Sequence, residues 1–363
     1  NRPVANLTQA LQGASPNLII QQRSMNPNDN TLNINIRGIK TTTNNTPLVV
    51  IDGAISDVAN MNKLNPNDVA NISVLKDAGS AAIYGSRSAS GVILITTKQG
   101  AKNSKPKVRV GGSVGVQTPD ILYRPLDGWQ NATMLNVALA NGGKAPAFTP
   151  AQIQDLKDHG DAEWMMDYIF KDAVQQSYDV NISGGSANTT YSVSGAYYDQ
   201  GSNFIGPDYG IKRYNLRSKL TTEFKRLKVN VILGYARNDI RGDEANGGFK
   251  IADASRTPKY YYNAPKTADG RYIISSIGVN AAAPLELGGY NRHNNDWINI
   301  NTSLDFKITN DLKARGVFGA DITNNWRFIR RVQFPVYDSP DDTEPARYEN
   351  ANRETENHAF KGA

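Results

Sequence analysis

The chain has 363 residues, no cysteine and a formal net charge of +6, with lysine and arginine scattered along its length. The lack of cysteine excludes disulfide bridges and thiolate metal sites, and the scattered charge gives no nucleic-acid footprint. No run of about 18 apolar residues predicts a transmembrane helix, but a transmembrane β-strand needs only about 9–11 residues with one apolar face.

The first part of the chain mixes short helix and strand signals. Leu7, Ala10 and Leu11 recur at helical spacing before Gly13. Asp52-Gly53 predicts a turn, because Asp bonds its own backbone and Gly tolerates positive φ. Residues 1–104 are therefore predicted to form a small α+β domain. Its strand candidates lie at 18–20, 31–38, 48–51, 72–75 and 91–97, and a short helix is predicted over 78–83.

From residue 105 onward the sequence predicts long strands with one apolar and one polar face. The seven candidates lie at 108–116, 178–183, 191–198, 214–224, 227–235, 298–308 and 312–323. Long connections, at about 118–174 and 240–296, alternate with tight ones such as 185–188 and 225–226. Outer-membrane barrels have this parity, with short periplasmic turns and longer extracellular loops.

A soluble β-sandwich gives the same alternation of faces but has no reason to keep the loop parity. Aromatic residues near strand ends, such as Tyr178, Tyr214 and Trp326, suit the interface girdles of a barrel, although aromatics favour strands in general. Residues 105–363 are therefore predicted to be the N-terminal portion of an antiparallel transmembrane β-barrel. Seven strands do not close one, and outer-membrane transporters use about 22 strands around a plugged lumen.

Three segments of the N-terminal domain resemble a known family. Asn35-Ile36-Arg37-Gly38 and the segment from Pro47 to Gly53 are similar to the plug signature of TonB-dependent receptors. The stretch from Val74 to Thr97, which contains Tyr84-Gly85-Ser86-Arg87, resembles the SusC/RagA branch found in Bacteroidetes. Ser88 and Ser90 depart mildly from that branch, which usually has Ala and Asn there.

The resemblance implies an outer-membrane importer rather than an enzyme. Such proteins take up large nutrients, usually oligosaccharides and sometimes peptides, together with a SusD-like surface lipoprotein. TonB, driven by its inner-membrane motor, pulls on the plug from the periplasm. The TonB box is expected upstream of Asn1. The resemblance implies no cofactor, and outer-membrane lipid surrounds the barrel.

The resemblance also marks candidate residues in the plug. Arg37 is expected either to form a buried ion pair with carboxylates of the barrel wall or to lie exposed at a strand end. Lys76, Asp77, Tyr84 and Arg87 form either a charged plug-to-wall network or a solvated face. The full set of plug-signature and plug-to-wall candidates is Arg37, Gly38, Asp52, Gly53, Lys76, Asp77, Tyr84, Gly85, Arg87 and Gly91.

Other sequence features point to no chemistry. Tyr260, Tyr261 and Tyr262 are weak candidates for stacking on a sugar, against a simpler role in packing under a SusD-like cap or within their own loop. The histidines are far apart, so no zinc site is predicted. A passive porin needs no α+β plug, and a soluble glycan-binding protein or glycan-active enzyme does not need the loop parity. Both remain as alternatives to active import.

Overall fold

The computed structural model describes residues 6–13, 18–22, 32–36, 38, 45–121, 124–160, 164–244, 254–255, 264–274 and 278–362. Within these ranges the chain forms an N-terminal α+β domain, which we call the plug, and a large antiparallel sheet, which we call the wall. No helix in the same ranges is long and apolar enough to cross a membrane.

The plug is built on a four-stranded sheet of order β4-β3-β6-β5, with β3 and β6 parallel, beside a β1-β2 pair. Its core holds Val49, Ile51, Ile93 and Ile95, which are at most 2% exposed. The predicted strands are confirmed, and the predicted 78–83 helix is a short α-helix followed by a 3-10 segment, Ala82–Ser88. The elements are α1 Leu7–Ala10, β1 Leu18–Gln22, β2 Leu32–Ile36, β3 Leu48–Ile51, β4 Ala54–Ser56, α2 Val58–Met61, β5 Val69–Leu75, α3 Ala78–Ala81 and β6 Val92–Thr97.

The wall is an eight-stranded meander in which each strand pairs with its neighbours in the chain. The seven predicted strands are confirmed, and the residues from His358 onward belong to the eighth. Two short strands, β14 Phe334–Val336 and β15 Arg347–Glu349, pair in the connection before it. The wall strands are β7 Ser104–Gln117, β8 Ala173–Gly185, β9 Thr189–Gly201, β10 Gly210–Phe224, β11 Leu227–Gly242, β12 Gly289–Lys307, β13 Lys313–Arg331 and β16 Arg353–Gly362.

The predicted loop at 240–296 is too long. In the structure β11 continues to Gly242 and β12 begins at Gly289, so the connection covers 243–288. The missed part of β12 has polar residues on both faces, Asn294 on one and Asn295 on the other. Period-two hydrophobicity therefore gives no signal there, although the backbone pairing continues.

The long connections carry helices and a second hydrophobic cluster. A capping box at Thr149, with Pro150 in the first turn, begins one of these helices. Trp164, Met165 and Ile169 pack with Phe204 and Ala282 of other connections. This cluster joins the loops at the end of the wall opposite the tight turns. The helices are α4 Gly128–Asn141, α5 Pro150–His159, α6 Met165–Ile169 and α7 Ala282–Glu286.

The two faces of the wall differ in what covers them. The polar face carries the plug, and Ala236 and Trp297 of the wall pack into the plug's hydrophobic core. The apolar face is largely uncovered by protein, as expected for strands that face lipid. Its exposed side chains include Val108, Val110, Val180, Leu216, Leu220, Leu233, Ile298 and Leu304.

Candidate functional site

A tight hairpin of the plug places one carboxylate against the wall. Asp52 and Gly53 join β3 to β4, and both have positive φ, +51° and +91°. Two-residue hairpin loops with positive φ at both positions favour Asp-Gly, which confirms the predicted turn. The Asp52 N–H donates to the carbonyl of Ile95 at 2.8 Å, so the turn is tied to β6 as well. Its side chain is thereby held in one direction.

The Asp52 carboxylate meets two cations of strand β10. Arg217 Nη2 lies 2.6 Å from Oδ2, and Lys219 Nζ lies 3.0 Å from Oδ1. The side chains of the acid, the arginine and the lysine are only 3%, 6% and 9% exposed, so the contact is dry. Thr97 of β6 donates to the same carboxylate from its backbone N–H at 3.0 Å and from Oγ1 at 2.6 Å. We call Asp52, Thr97, Arg217 and Lys219 the plug–wall joint.

The wall presents the two cations together because of strand geometry. Successive side chains of a strand point to opposite faces, so residues two apart share a face. Arg217 and Lys219 are both buried on the plug side, whereas Leu216 and Leu220 are exposed on the other. Strand β12, which is separated from β10 by β11, adds a neutral contact, with Asn301 Nδ2 donating to the backbone carbonyl of Asp52 at 3.0 Å.

The joint is held together more by attraction between opposite charges than by complete hydrogen bonding of its polar atoms. Burial raises the pKa of the Asp52 carboxyl, but Arg217, Lys219 and the Thr97 hydrogen bonds outweigh it and lower that pKa below its usual range. Within the described part of the chain, the buried Arg217 Nε has no hydrogen-bond partner. Two cations thus face one ionised carboxylate.

A second plug carboxylate responds to the same arginine. Asp68 is buried, and burial raises its pKa despite a hydrogen bond from Ser194 and the attraction of Arg217. Asp179 of the wall adds to the rise by like-charge repulsion. Asp52 is therefore the ionised partner of the wall, whereas Asp68 is an acid whose charge is disfavoured.

The joint should hold through the neutral range and weaken only in acid. Because the folded-state pKa of Asp52 lies below 3.8, its stabilisation is complete above that value and is lost as pH falls through the lower folded-state pKa. We expect the hydrogen exchange of residues 48–56, measured in the full-length protein, to show constant protection from about pH 8 to 5. A loss of protection within that interval would contradict the assignment.

Further polar contacts surround the joint on both sides. Ser56 Oγ donates to Asp321 Oδ2 at 2.8 Å, and Asp321 also accepts from Trp297 and Asn299. Asn67 Nδ2 donates to Asp179 Oδ1 at 2.8 Å. The plug is thus attached to the wall by hydrogen bonds and charge as well as by the packing of Ala236 and Trp297. Water can replace the polar contacts once the plug moves.

The other sequence candidates lie elsewhere. Arg37 falls outside the described residues, as do Tyr260, Tyr261 and Tyr262. Gly38, Gly85 and Gly91 have positive φ of +82°, +66° and +92°. Lys76 is half-buried, Asp77 and Arg87 are exposed, and Tyr84 packs against a cluster of Val50, Ala81 and Val92. The charged network of this segment stays a prediction.

Sequence reasoning missed the wall side of the joint. The sequence predicts a turn at Asp52 and, from the family resemblance, either an ion pair of Arg37 with wall carboxylates or an Arg37 exposed at a strand end. The described joint has the opposite polarity, with the acid on the plug and the cations on the wall. The signal available was a pair of cations two residues apart on the polar face of one strand. Over the described ranges, no group of three or more His, Asp or Glu side chains is arranged to hold a metal ion.

Comparisons with known proteins agree on one class. A family model described as TonB-dependent Receptor Plug Domain matches residues 1–92. The chain is 31% identical to TonB-dependent receptor P26 of Formosa agariphila over 334 residues, covering 89% of this chain and 32% of the relative. It is 32% identical over 308 residues to TonB-dependent receptor SusC of Bacteroides thetaiotaomicron, covering 76% and 29%.

The fold matches a solved importer. The structure titled RagAB peptide importer in the closed-closed state aligns with a TM-score of 0.74 and 24% identity. The alignment covers 95% of this chain and 41% of the other. The chain spans about a third of the length of the curated relatives it matches, 32% and 29% of the two named above.

Proposed function

This chain belongs to the SusC/RagA-like TonB-dependent receptors of the outer membrane, and from that premise we propose that it takes part in the active import of a large nutrient. The wall spans the membrane, and the plug closes the lumen until TonB pulls it from the periplasm. The family is one of receptors and transporters, so the proposal requires no catalytic residue.

The observation that carries this proposal is the dry plug–wall joint. A buried ion pair is costly to break from one side, since a charge is then left without water or partner. Once water enters, however, the attraction between the same charges falls steeply because the effective dielectric constant rises. The joint is therefore strong while the plug is seated and weak after the first displacement, which suits a plug that is released by force.

We propose an oligosaccharide as the substrate and a SusD-like lipoprotein as the partner, as the family resemblance implies. The structural neighbour favours an oligopeptide as a second candidate, because RagAB is a peptide importer. A polar contact between plug and wall, which water can enter once the plug moves, is compatible with either substrate. TonB with its inner-membrane motor supplies the force in both cases.

Growth of a strain lacking the full-length gene tests the import function. We expect loss of growth on defined oligosaccharides, or on peptides if the second candidate holds, and restoration by the wild-type gene. A strain lacking TonB should show the same defect, because force on the plug is required. Undiminished growth of the deletion strain on both nutrient classes would contradict import.

A further inference from the structure

A row of tyrosines crosses the outward face of the wall. Tyr178, Tyr197 and Tyr214 are direct cross-strand neighbours on β8, β9 and β10. They follow the exposed apolar side chains of the same strands, on the side away from the tight turns. Aromatic girdles at this position mark the boundary between hydrocarbon and headgroups in outer-membrane barrels.

Beyond this row two arginines face each other on neighbouring strands. Arg241 of β11 and Arg292 of β12 are directly paired, and both point outward. Tyr214 is paired with Arg237, so Arg241 and its partner Arg292 lie four residues further along the strands. That is about 13 Å at ~3.3 Å per residue, which is headgroup depth. Like charges directly opposite each other destabilise a sheet, so an anion bound between the two arginines would offset their repulsion.

The acidic neighbours leave both guanidinium groups incompletely satisfied. Arg241 lies 4.0 Å from Asp208, whose side chain is 93% exposed. Arg292 donates to both carboxylate oxygens of Asp239, from Nε at 3.5 Å and from Nη2 at 3.4 Å. These distances exceed those of good charged hydrogen bonds, about 2.7–2.9 Å. In the described structure the buried Nε of Arg241 has no hydrogen-bond partner at all. That Nε is itself buried, but the side chains of Arg241 and Arg292 are 37% and 47% exposed. Their outer guanidinium nitrogens can therefore donate to a phosphate, which Arg binds well.

Aromatic rings complete the surface. The guanidinium of Arg241 lies 4.8 Å from the ring centre of Tyr290, and that of Arg292 lies 6.0 Å from Trp326. Phe328 lies parallel to Trp326, with ring centres 6.1 Å apart. We call Arg241, Tyr290, Arg292, Trp326 and Phe328 the arginine–aromatic patch. A cleft of about 500 Å³ is lined by both arginines, Lys212 and Tyr290, and also by the carboxylates of Asp199, Asp208 and Asp239.

We propose that this patch binds the phosphorylated saccharide headgroup of an outer-leaflet glycolipid. The arginines supply donors for phosphate, and the aromatic rings supply flat apolar faces for sugar. The exposed apolar band beneath the tyrosine row receives the acyl chains. The patch points away from the plug and the lumen, so a nutrient in transit does not reach it. The inference does not depend on import.

Native mass spectrometry of the delipidated full-length protein tests the proposal, with diphosphorylated lipid A and its dephosphorylated form as probes. We expect the wild type to prefer the phosphorylated probe. The double variant Arg241→Gln/Arg292→Gln should bind it about tenfold or more weakly, because two charge-assisted contacts are lost. A matched control, Arg226→Gln/Arg315→Gln, removes two arginines near the tight-turn end and should bind like the wild type.

A single variant decides the question if the double variant does not fold. Asp239→Asn removes the acid that competes for Arg292 and is expected to tighten binding of the phosphorylated probe several-fold. Unchanged or weaker binding by Asp239→Asn would overturn the proposal. So would a wild type that does not distinguish the probes, or a double variant that keeps its lipid affinity but changes oligomeric state, which would make the patch a protein contact.

Discussion

Asp52→Asn is expected to weaken the attachment of the plug to the wall by a free energy of about 3–5 kcal/mol. This is the usual cost of removing one side of a buried ion pair. The substitution keeps the size of the side chain but leaves Arg217 and Lys219 facing each other in a dry site. Hydrogen exchange at 48–56 and 92–97 in the full-length protein should accelerate about a hundredfold or more, since each ~1.4 kcal/mol is a factor of ten.

The exposed plug acid Asp77 provides the matched control. Asp77→Asn removes the same charge from the same domain, outside the joint, and should leave exchange at 48–56 within a few-fold of the wild type. Equal protection in the wild type and Asp52→Asn would show that the joint does not hold the plug. An Asp77→Asn effect as large as that of Asp52→Asn would show that any loss of plug charge suffices.

Gly91→Ala is expected to destabilise the plug by about 2–5 kcal/mol, from two separable causes. Gly91 has φ of +92°, and a left-handed conformation costs an L-residue about 1–2 kcal/mol. A Cβ at this position would also lie 2.8 Å from Cδ1 and 3.2 Å from Cγ2 of Ile36, and overpacking of a core costs about 1–3 kcal/mol. Ile36 is 1% exposed and has little room to yield.

Gly53→Ala separates these two causes. Its φ of +91° nearly equals that of Gly91, but a Cβ there meets no atom within 4 Å. The loss of plug stability is measured by denaturant unfolding of the full-length protein, monitored by hydrogen exchange within the plug. It should be smaller for Gly53→Ala than for Gly91→Ala. Equal losses for both variants would mean that Ile36 makes room and that only the backbone matters.

Much of the fold can be predicted from local patterns. Period-two alternation located the wall strands, because lipid or solvent on one face and plug on the other give each strand two distinct sides. The Asp52-Gly53 dipeptide predicted its hairpin, because only a few residues tolerate positive φ at both loop positions. The first part of β12, before residue 298, could not be predicted because both of its faces are polar. Backbone pairing by itself leaves no pattern in the sequence.

The joint could not be predicted from local patterns, because its two sides are far apart in the chain. Asp52 and Arg217 are separated by 165 positions, and nothing in either segment specifies the other. The family motif indicates Arg37 as the charged contact of the plug. The turn explains the presence of Asp52 without any contact between its side chain and the wall. A carboxylate that both shapes a turn and pairs across domains has the same sequence signature as a simple turn.

A disulfide between the plug and the wall tests most directly whether the plug must separate from the wall during import. A Cβ built on Gly319 of β13 lies 3.4 Å from the Cβ of Ala54 in β4, close to the roughly 3.5–4.5 Å spacing of disulfides. The chain has no cysteine of its own, so Ala54→Cys/Gly319→Cys can form only this bond within it. We predict that the oxidised variant reaches the outer membrane but does not import, that reductant restores uptake, and that Ala54→Cys alone behaves as the wild type. Full uptake with the disulfide completely formed would contradict separation of the plug from the wall during import.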